Sequence, residues 1–198
     1  FSFALLLRTN EKYKEIQRKI IHIGMGPLVP IAKYLEIPQS VAEVFTGLII
    51  LLILFNYKYK LIPVIEDIER QSFGTFFYCF SLLILIFIFW DKHDSALFAG
   101  VFVMTFGDGL AGLIGKGFKS FNWRIFNQKK SLLGTSVMFI TSFVVLTLVG
   151  NNGGFGLDKN YLIIALIATI LEQISIAGID NFSVPIITST IFHLLKTN

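Results

Sequence analysis

Long uncharged apolar runs constrain this chain more than any other feature. Gly74–Trp90 carries no charge, and neither do Ser131–Gly150 and Tyr161–Leu171. Runs of about 18 apolar residues are long enough to cross the hydrocarbon core of a bilayer as helices. Of 198 residues, 54% are hydrophobic and only 15% charged, which leaves too little polar surface for a soluble domain of this size. The expected fold is all-α: a polytopic transmembrane helical bundle of about seven to eight spans, forming one domain over residues 1–198. Cys79, the sole cysteine, sits inside an apolar run and can form no internal disulfide.

The predicted spans are Ile20–Leu35, Val41–Phe55, Gly74–Trp90, Ser95–Gly115, Ser131–Val149, Tyr161–Gly178 and Phe182–Leu195. The chain opens on Phe1, and Phe1–Leu7 reads as the end of a helix that begins upstream, since no small-residue cleavage site follows it. Ile20–Leu35 is interrupted by Gly24, Gly26, Pro27 and Pro30. Such breaks persist at membrane depth only where protein or a watery cavity satisfies the freed backbone groups.

A net charge of +4 would raise the question of nucleic acid in a soluble protein. Here the cations gather in alternate loops instead. The first loop holds Arg8, Lys12, Lys14, Arg18 and Lys19; the third holds Lys58, Lys60 and Arg70; the fifth holds Lys116, Lys119, Arg124, Lys129 and Lys130. The other side has only Lys33, Lys92, Lys159 and Lys196. Basic residues favour the cytoplasmic side, so the expectation is a multi-pass protein with its odd loops facing the cytoplasm, or the stroma of a plastid, and no nucleic-acid partner.

The unusual polar residues lie on that same side. Arg18 and His22 are four apart and share a helix face, with Lys19 adjacent. The group suits either a phosphate or the head groups of anionic lipids. Asp108 lies within a span, where a carboxylate is costly and usually functional. Gly107, Ala111 and Gly115 recur every four residues around it. That small-residue stripe lets another helix approach closely, inside the molecule or across a homodimer. The glycine turn Gly115–Gly117, Lys130 and Ser131 follow. Exposed amides and lysines of this kind can hold phosphate oxygens, and Ser131 sits near a helix N-terminus, a site favourable to anions. No Walker-type loop is present.

Glu172 lies in an apolar helix, ahead of Asp180, Asn181 and Pro185. Along an unbroken helix Glu172 and Asp180 would be about 12 Å apart, too far to share an ion unless Gly178 breaks the helix. Asp180 and Asn181 also suit a helix cap. Glu69, Arg70, Gly74 and Tyr78 form a weaker patch. Carboxylates and cations near one face suit phosphoryl transfer, in which Mg²⁺ or another divalent cation takes carboxylate, water and phosphate oxygens.

In this order the clusters resemble the CTP-dependent lipid-alcohol kinases: phytol kinase, dolichol kinase and the CTP-using diacylglycerol kinase. The matching pieces are Arg18-Lys19-Ile20-Ile21-His22; Arg70 with Gly74-Thr75 and Tyr78; Gly107-Asp108 with Ala111 and Gly115; Lys130-Ser131 with Gly134-Thr135; and Glu172 with Asp180-Asn181 and Pro185. The resemblance implies CTP as donor, a divalent ion, and a lipid alcohol of phytol or polyprenol type as acceptor. It implies a catalytic set of Asp108, Lys130 and His22, and metal ligands among Asp108, Glu172 and Asp180. Nucleotide and phosphate contacts would come from Arg18, Lys19, Gly107, Gly115, Gly117, Ser131, Gly134 and Asn181. Phytol kinases often carry two acidic residues before the Asn, whereas here Ile179 precedes Asp180.

Two neighbouring activities share these features: nucleotidyl transfer to phosphatidate, and phosphorylation of diacylglycerol. A small transporter is the non-enzymatic reading. It calls for polar residues on both sides of the midplane and an inverted repeat, and the sequence displays neither.

Overall fold

The computed structural model describes residues 11–59, 73–126, 128–154, 156 and 158–197. The predicted helix end at Phe1–Leu7 and the Glu69–Arg70 patch lie outside them. Eight helices and one β-hairpin follow in order among the described residues: α1 Glu11–Met25, α2 Leu28–Tyr34, α3 Gln39–Tyr59 and α4 Gly74–Phe89; α5 Asp94–Gly117; β1 Asn122–Ile125 and β2 Gln128–Ser131; then α6 Leu132–Gly150, α7 Lys159–Gln173 and α8 Asp180–Thr197.

Helix α3 shows what surrounds the molecule. Its buried face is Thr46, Ile50, Ile53 and Asn56, yet Val44, Phe45, Leu48, Leu51, Leu52 and Phe55 are exposed. A helix apolar on all sides is made for a core or for lipid, and about half of the residues of α3 are exposed. By length and composition, α3, α5 and α6 are able to cross a membrane, and α4 is a shorter apolar helix. Three such helices among the described residues is fewer than the seven to eight spans expected. Helix α7 has 15 residues, about 22 Å of rise against a hydrocarbon core of about 30 Å.

Helix α5 is the central strut. A π-helical turn, Val103–Asp108, interrupts it and ends on Asp108. The small residues of its stripe turn inward onto α6. A Cβ on Gly107 would press on Met138 and Ser142, and one on Gly115 would meet Ser131 and Gly134. About two turns earlier in α5, Gly100 lies directly against the Pro185 carbonyl and Ser189 of α8. The stripe therefore serves internal packing.

Two expectations are corrected. The segment read as a basic loop contains an antiparallel hairpin, with Trp123 opposite Lys130 and Ile125 opposite Gln128. Trp123 and Ile125 favour a pleated strand, and Phe126 takes a left-handed turn at φ 52°. The fold is thus helical with one small sheet. The span read as Tyr161–Gly178 instead stops at Gln173, and the chain bends through Ala177 (φ 54°) and Gly178 (φ 88°) before α8 begins at Asp180. The break near Gly26-Pro27 occurs as expected, between α1 and α2.

Long-range bonds fix the ends of these helices. The Phe73 N–H donates to the Ala177 carbonyl, and Ser81 Oγ to the Asn181 carbonyl at 2.9 Å. Both tie α4 to the bend before α8. At the far end of α4, about 24 Å away by helical rise, Trp90 Nε1 donates to the Ile37 carbonyl. Lys33 bridges the Trp90 carbonyl and Asp94 there.

Candidate active site

The bend between α7 and α8 does what an unbroken helix cannot. It brings Glu172, in the last turn of α7, beside Asp180, the first residue of α8, and both beside Asp108 on the π turn of α5. One carboxylate oxygen from each lies within 4.8 Å of the others. Three carboxylates this close repel strongly unless cations intervene.

Two lysines supply part of that balance. Lys19 Nζ is 2.5 Å from Asp108 Oδ2 and 3.3 Å from the Asp108 carbonyl. Lys130 Nζ is 2.5 Å from Glu172 Oε1 and 2.7 Å from the Glu172 carbonyl. All four side chains are about nine-tenths buried, so each pair is shielded from water and strongly interacting. Lys19 reaches Asp108 across the open side of Gly112, where a Cβ would collide with its stem. His22 Nε2 stands 3.7 Å from Asp108 Oδ2 and 3.3 Å from the Met104 carbonyl.

The third carboxylate is not compensated in this way. Asp180 Oδ1 is buried and without a hydrogen-bond partner among the described residues, as are Asn181 Oδ1 and Gln173 Oε1. The Asp180 backbone N–H is taken by Ser175 Oγ at 2.8 Å. Asp180 and Asn181, both at the cavity, thus keep an unpartnered oxygen each, where a helix cap would have spent them on backbone amides. Orphaned buried oxygens call for a cation or donor, and an all-oxygen donor set fits a hard divalent ion such as Mg²⁺. The residues present therefore fit the metal that the sequence led us to expect.

These groups face one cavity of about 1120 Å³. Arg18, Lys19, His22, Asp108, Gly115, Gly117, Lys130, Ser131, Gly134, Glu172, Asp180 and Asn181 all line it. Residues more than 160 positions apart in sequence thus meet in one space. Gly107 does not line the cavity, because it is spent on contact with α6. Ser131 caps α6 by accepting from the Gly134 N–H at 3.1 Å, and its hydroxyl donates to the Gly115 carbonyl at 3.3 Å. The hairpin contributes Asn122, Phe126, Gln128 and Lys129 to the lining.

Sequence reasoning missed part of the support. Gln173 donates to Glu172 Oε2 at 2.7 Å and to Thr135 Oγ1 at 2.9 Å, fixing the carboxylate that Lys130 also holds. Its only signal was a polar residue beside Glu172 at the end of an apolar helix. Tyr78, which the sequence did mark, bonds Thr105 on the π turn at 3.2 Å and packs its ring on His22 at 4.7 Å.

Fold and pocket together define a class: a predominantly helical protein with membrane-length apolar helices and a buried carboxylate–lysine centre facing one cavity. A phytol kinase of Synechocystis sp. is 37% identical over 190 residues, covering 92% of this chain and 80% of that protein. A probable chloroplastic phytol kinase of Triticum aestivum is 31% identical over 142 residues, covering 66% of this chain and 46% of that protein. Phytol kinase 1 of Arabidopsis thaliana, also chloroplastic, is 27% identical over 210 residues, covering 94% and 68%. No protein-family profile matches the chain, and no solved structure does. The chain belongs to the phytol kinase family.

Proposed function

We propose that this chain is an integral, multi-pass membrane kinase. In this reading it moves the γ-phosphoryl group of CTP to the hydroxyl of a lipid alcohol, phytol or a polyprenol, at the cytoplasmic or stromal face. The observation that carries the reading is the meeting of Asp108, Glu172 and Asp180 with Lys19 and Lys130 around one cavity, in a chain 37% identical to a phytol kinase. Residues 1–198 act as a single domain, and the cations on the alternate loops orient it in the bilayer.

Asp108, Glu172 and Asp180 would hold the divalent ion, which when bound neutralises phosphate charge and polarises the phosphoryl oxygens. The rest falls to the chain's own groups. Arg18, Lys19 and Lys130 supply positive charge around the triphosphate. Gly115–Gly117, which the structure places in the last helical turn of α5, packs through Gly115 against the Ser131–Gly134 cap, and that cap opens α6, where a helix N-terminus favours anions. Asn181 offers a polar contact beside Asp180.

In the transfer, the alcohol oxygen forms a bond to the γ-phosphorus as the bond to the β–γ bridging oxygen breaks. CDP leaves with that electron pair, and the hydroxyl proton passes to the Asp108–His22 pair. Lys19, bonded to the same Asp108 oxygen that His22 approaches, orients that carboxylate. No covalent enzyme intermediate is needed.

The test is purified protein with Mg²⁺ and each γ-labelled nucleoside triphosphate, offered phytol, polyprenol, dolichol and diacylglycerol in turn, with phosphatidate and α-labelled CTP in parallel. The expected result is γ-label on phytol or polyprenol, with CTP preferred. Transfer of α-label to phosphatidate would instead mark a cytidylyltransferase and overturn the proposal.

A further inference from the structure

The cavity has two chemically different ends, and the proposed phosphoryl chemistry uses only one. On the side of α5, the hairpin and α6–α8, most of the lining is charged, amide or glycine. The apolar lining is grouped on α1, α3 and α4 as Ile21, Met25, Ile49, Ile53 and Cys79, beside the charged Arg18 and Lys19 and the His22 that α1 also sends to the cavity. Ile21 and Met25 are four residues apart on α1, and Ile49 and Ile53 four apart on α3, so each pair forms one stripe. Ligand sites commonly measure about 300–1,000 Å³, and this cavity, at about 1120 Å³, lies above that range.

Resting on the kinase reading above, we infer that this apolar arm holds the hydrocarbon chain of the acceptor, with Ile49 and Ile53 setting which chains fit. Three observations meet here. First, the arm reaches the charged centre at His22, which lies on α1 between Ile21 and Met25 and within 3.7 Å of Asp108. A hydroxyl at the head of a chain lying along the α1 stripe therefore arrives at the proposed proton acceptor. Second, the arm reaches the outside of the molecule, because Ile21 lines the cavity and is still 54% exposed. Third, α3 carries lipid-type residues on its outer face, among them Leu48, Leu51, Leu52 and Phe55. A chain can thus enter sideways from the bilayer without crossing water, hydroxyl first. Tyr78, held by Thr105 and with its ring tilted against His22 at 4.7 Å, sits where the apolar lining gives way to the charged one and positions His22.

The experiment uses a phytol analogue bearing a diazirine in mid-chain, photolysed with the purified full chain in detergent without nucleotide, and peptide mapping of the adducts. Adducts on residues 21–25 and 49–53, competed by phytol, are the expected result. Adducts confined to the outer face of α3, or indifferent to competing phytol, would come from a bulk lipid contact and overturn the inference. In parallel, Ile53→Trp and Ile49→Phe are expected to raise KM for phytol by about tenfold, as steric exclusion from an apolar pocket does, while KM for CTP stays unchanged. An unchanged KM for phytol in both folded variants also overturns it. Cross-linking requires no turnover, so the two readings fail separately. Adducts in the arm of a protein without kinase activity would sink the proposed function alone. An active kinase labelled elsewhere would sink the arm alone.

Discussion

Glu172 and Lys130 face each other at 2.5 Å in a place that water hardly reaches. A buried ion pair is weak support for stability as a pair, yet losing one partner costs about 3–5 kcal/mol, because a lone charge stays behind. Lys130→Met should therefore lower the unfolding free energy in detergent by roughly that amount. The double variant Lys130→Met/Glu172→Leu should recover most of it without recovering activity. A double-mutant cycle on thermal unfolding and on turnover separates the two effects. Lys19→Met tests the other pair: with Asp108 unpaired, both stability and turnover should fall. Sequence alone marked each of these charged residues as unusual. It did not show which cation served which carboxylate, because partners 42 and 89 positions apart are joined only by the fold.

At the scale of elements, the bend between α7 and α8 matters most. Gly178 sits at φ 88°, a conformation that costs other residues about 1–2 kcal/mol. Gly178→Ala should loosen the bend, withdraw Asp180 from Glu172 and raise the Mg²⁺ concentration needed for half-maximal activity, measured by metal titration of turnover. Equal metal dependence in the variant and the parent would remove the bend from the site's construction. The α5–α6 contact offers a second check. A Cβ on Gly134 would stand 3.1 Å from the Ala111 carbonyl, a backbone atom that cannot swing aside, so Gly134→Ala should lower the thermal midpoint. The apolar runs and the Gly107–Gly115 stripe were legible in the sequence, since periodicity reports burial and close approach directly. The π turn at Val103–Asp108 and the hairpin at Asn122–Ser131 were not. The first is a local slip of hydrogen bonding with no residue signature, and the second is a short polar segment whose pairing depends on its place above the cavity.

Among the described residues the molecule is an apolar helical body whose buried carboxylate–lysine centre gathers around Asp108 of α5. The helices α3, α5 and α6 are long and apolar enough to cross a membrane, so the protein should stay in the membrane fraction through alkaline carbonate extraction. The proposed sidedness rests on the distribution of cations. In a Cys79→Ala background, Lys119→Cys, at the cavity mouth, and Lys92→Cys, between α4 and α5, should react with an impermeant maleimide from opposite faces of sealed vesicles. Labelling of both from one face would overturn the topology. The general class and the location of the polar clusters were legible before any coordinates, because ionisable residues in apolar surroundings stand out. Their convergence was not, as it depends on where α7 stops. An unbroken helix to Gly178 would have kept Glu172 and Asp180 about 12 Å apart.

The most direct test of the central claim, that Asp108, Glu172 and Asp180 form one metal-assisted phosphoryl-transfer centre, is the rate of phytol phosphorylation from CTP across a Mg²⁺ titration. The proteins compared are the parent, Asp108→Asn, Glu172→Gln and Asp180→Asn, each verified as folded by gel filtration and circular dichroism. We expect the parent to be active and metal-dependent, and each variant to lose about a thousandfold or more, as loss of charge stabilisation at a transferring group does. Parent-like turnover in any one of the folded variants, or activity indifferent to chelation of the metal, would contradict the account.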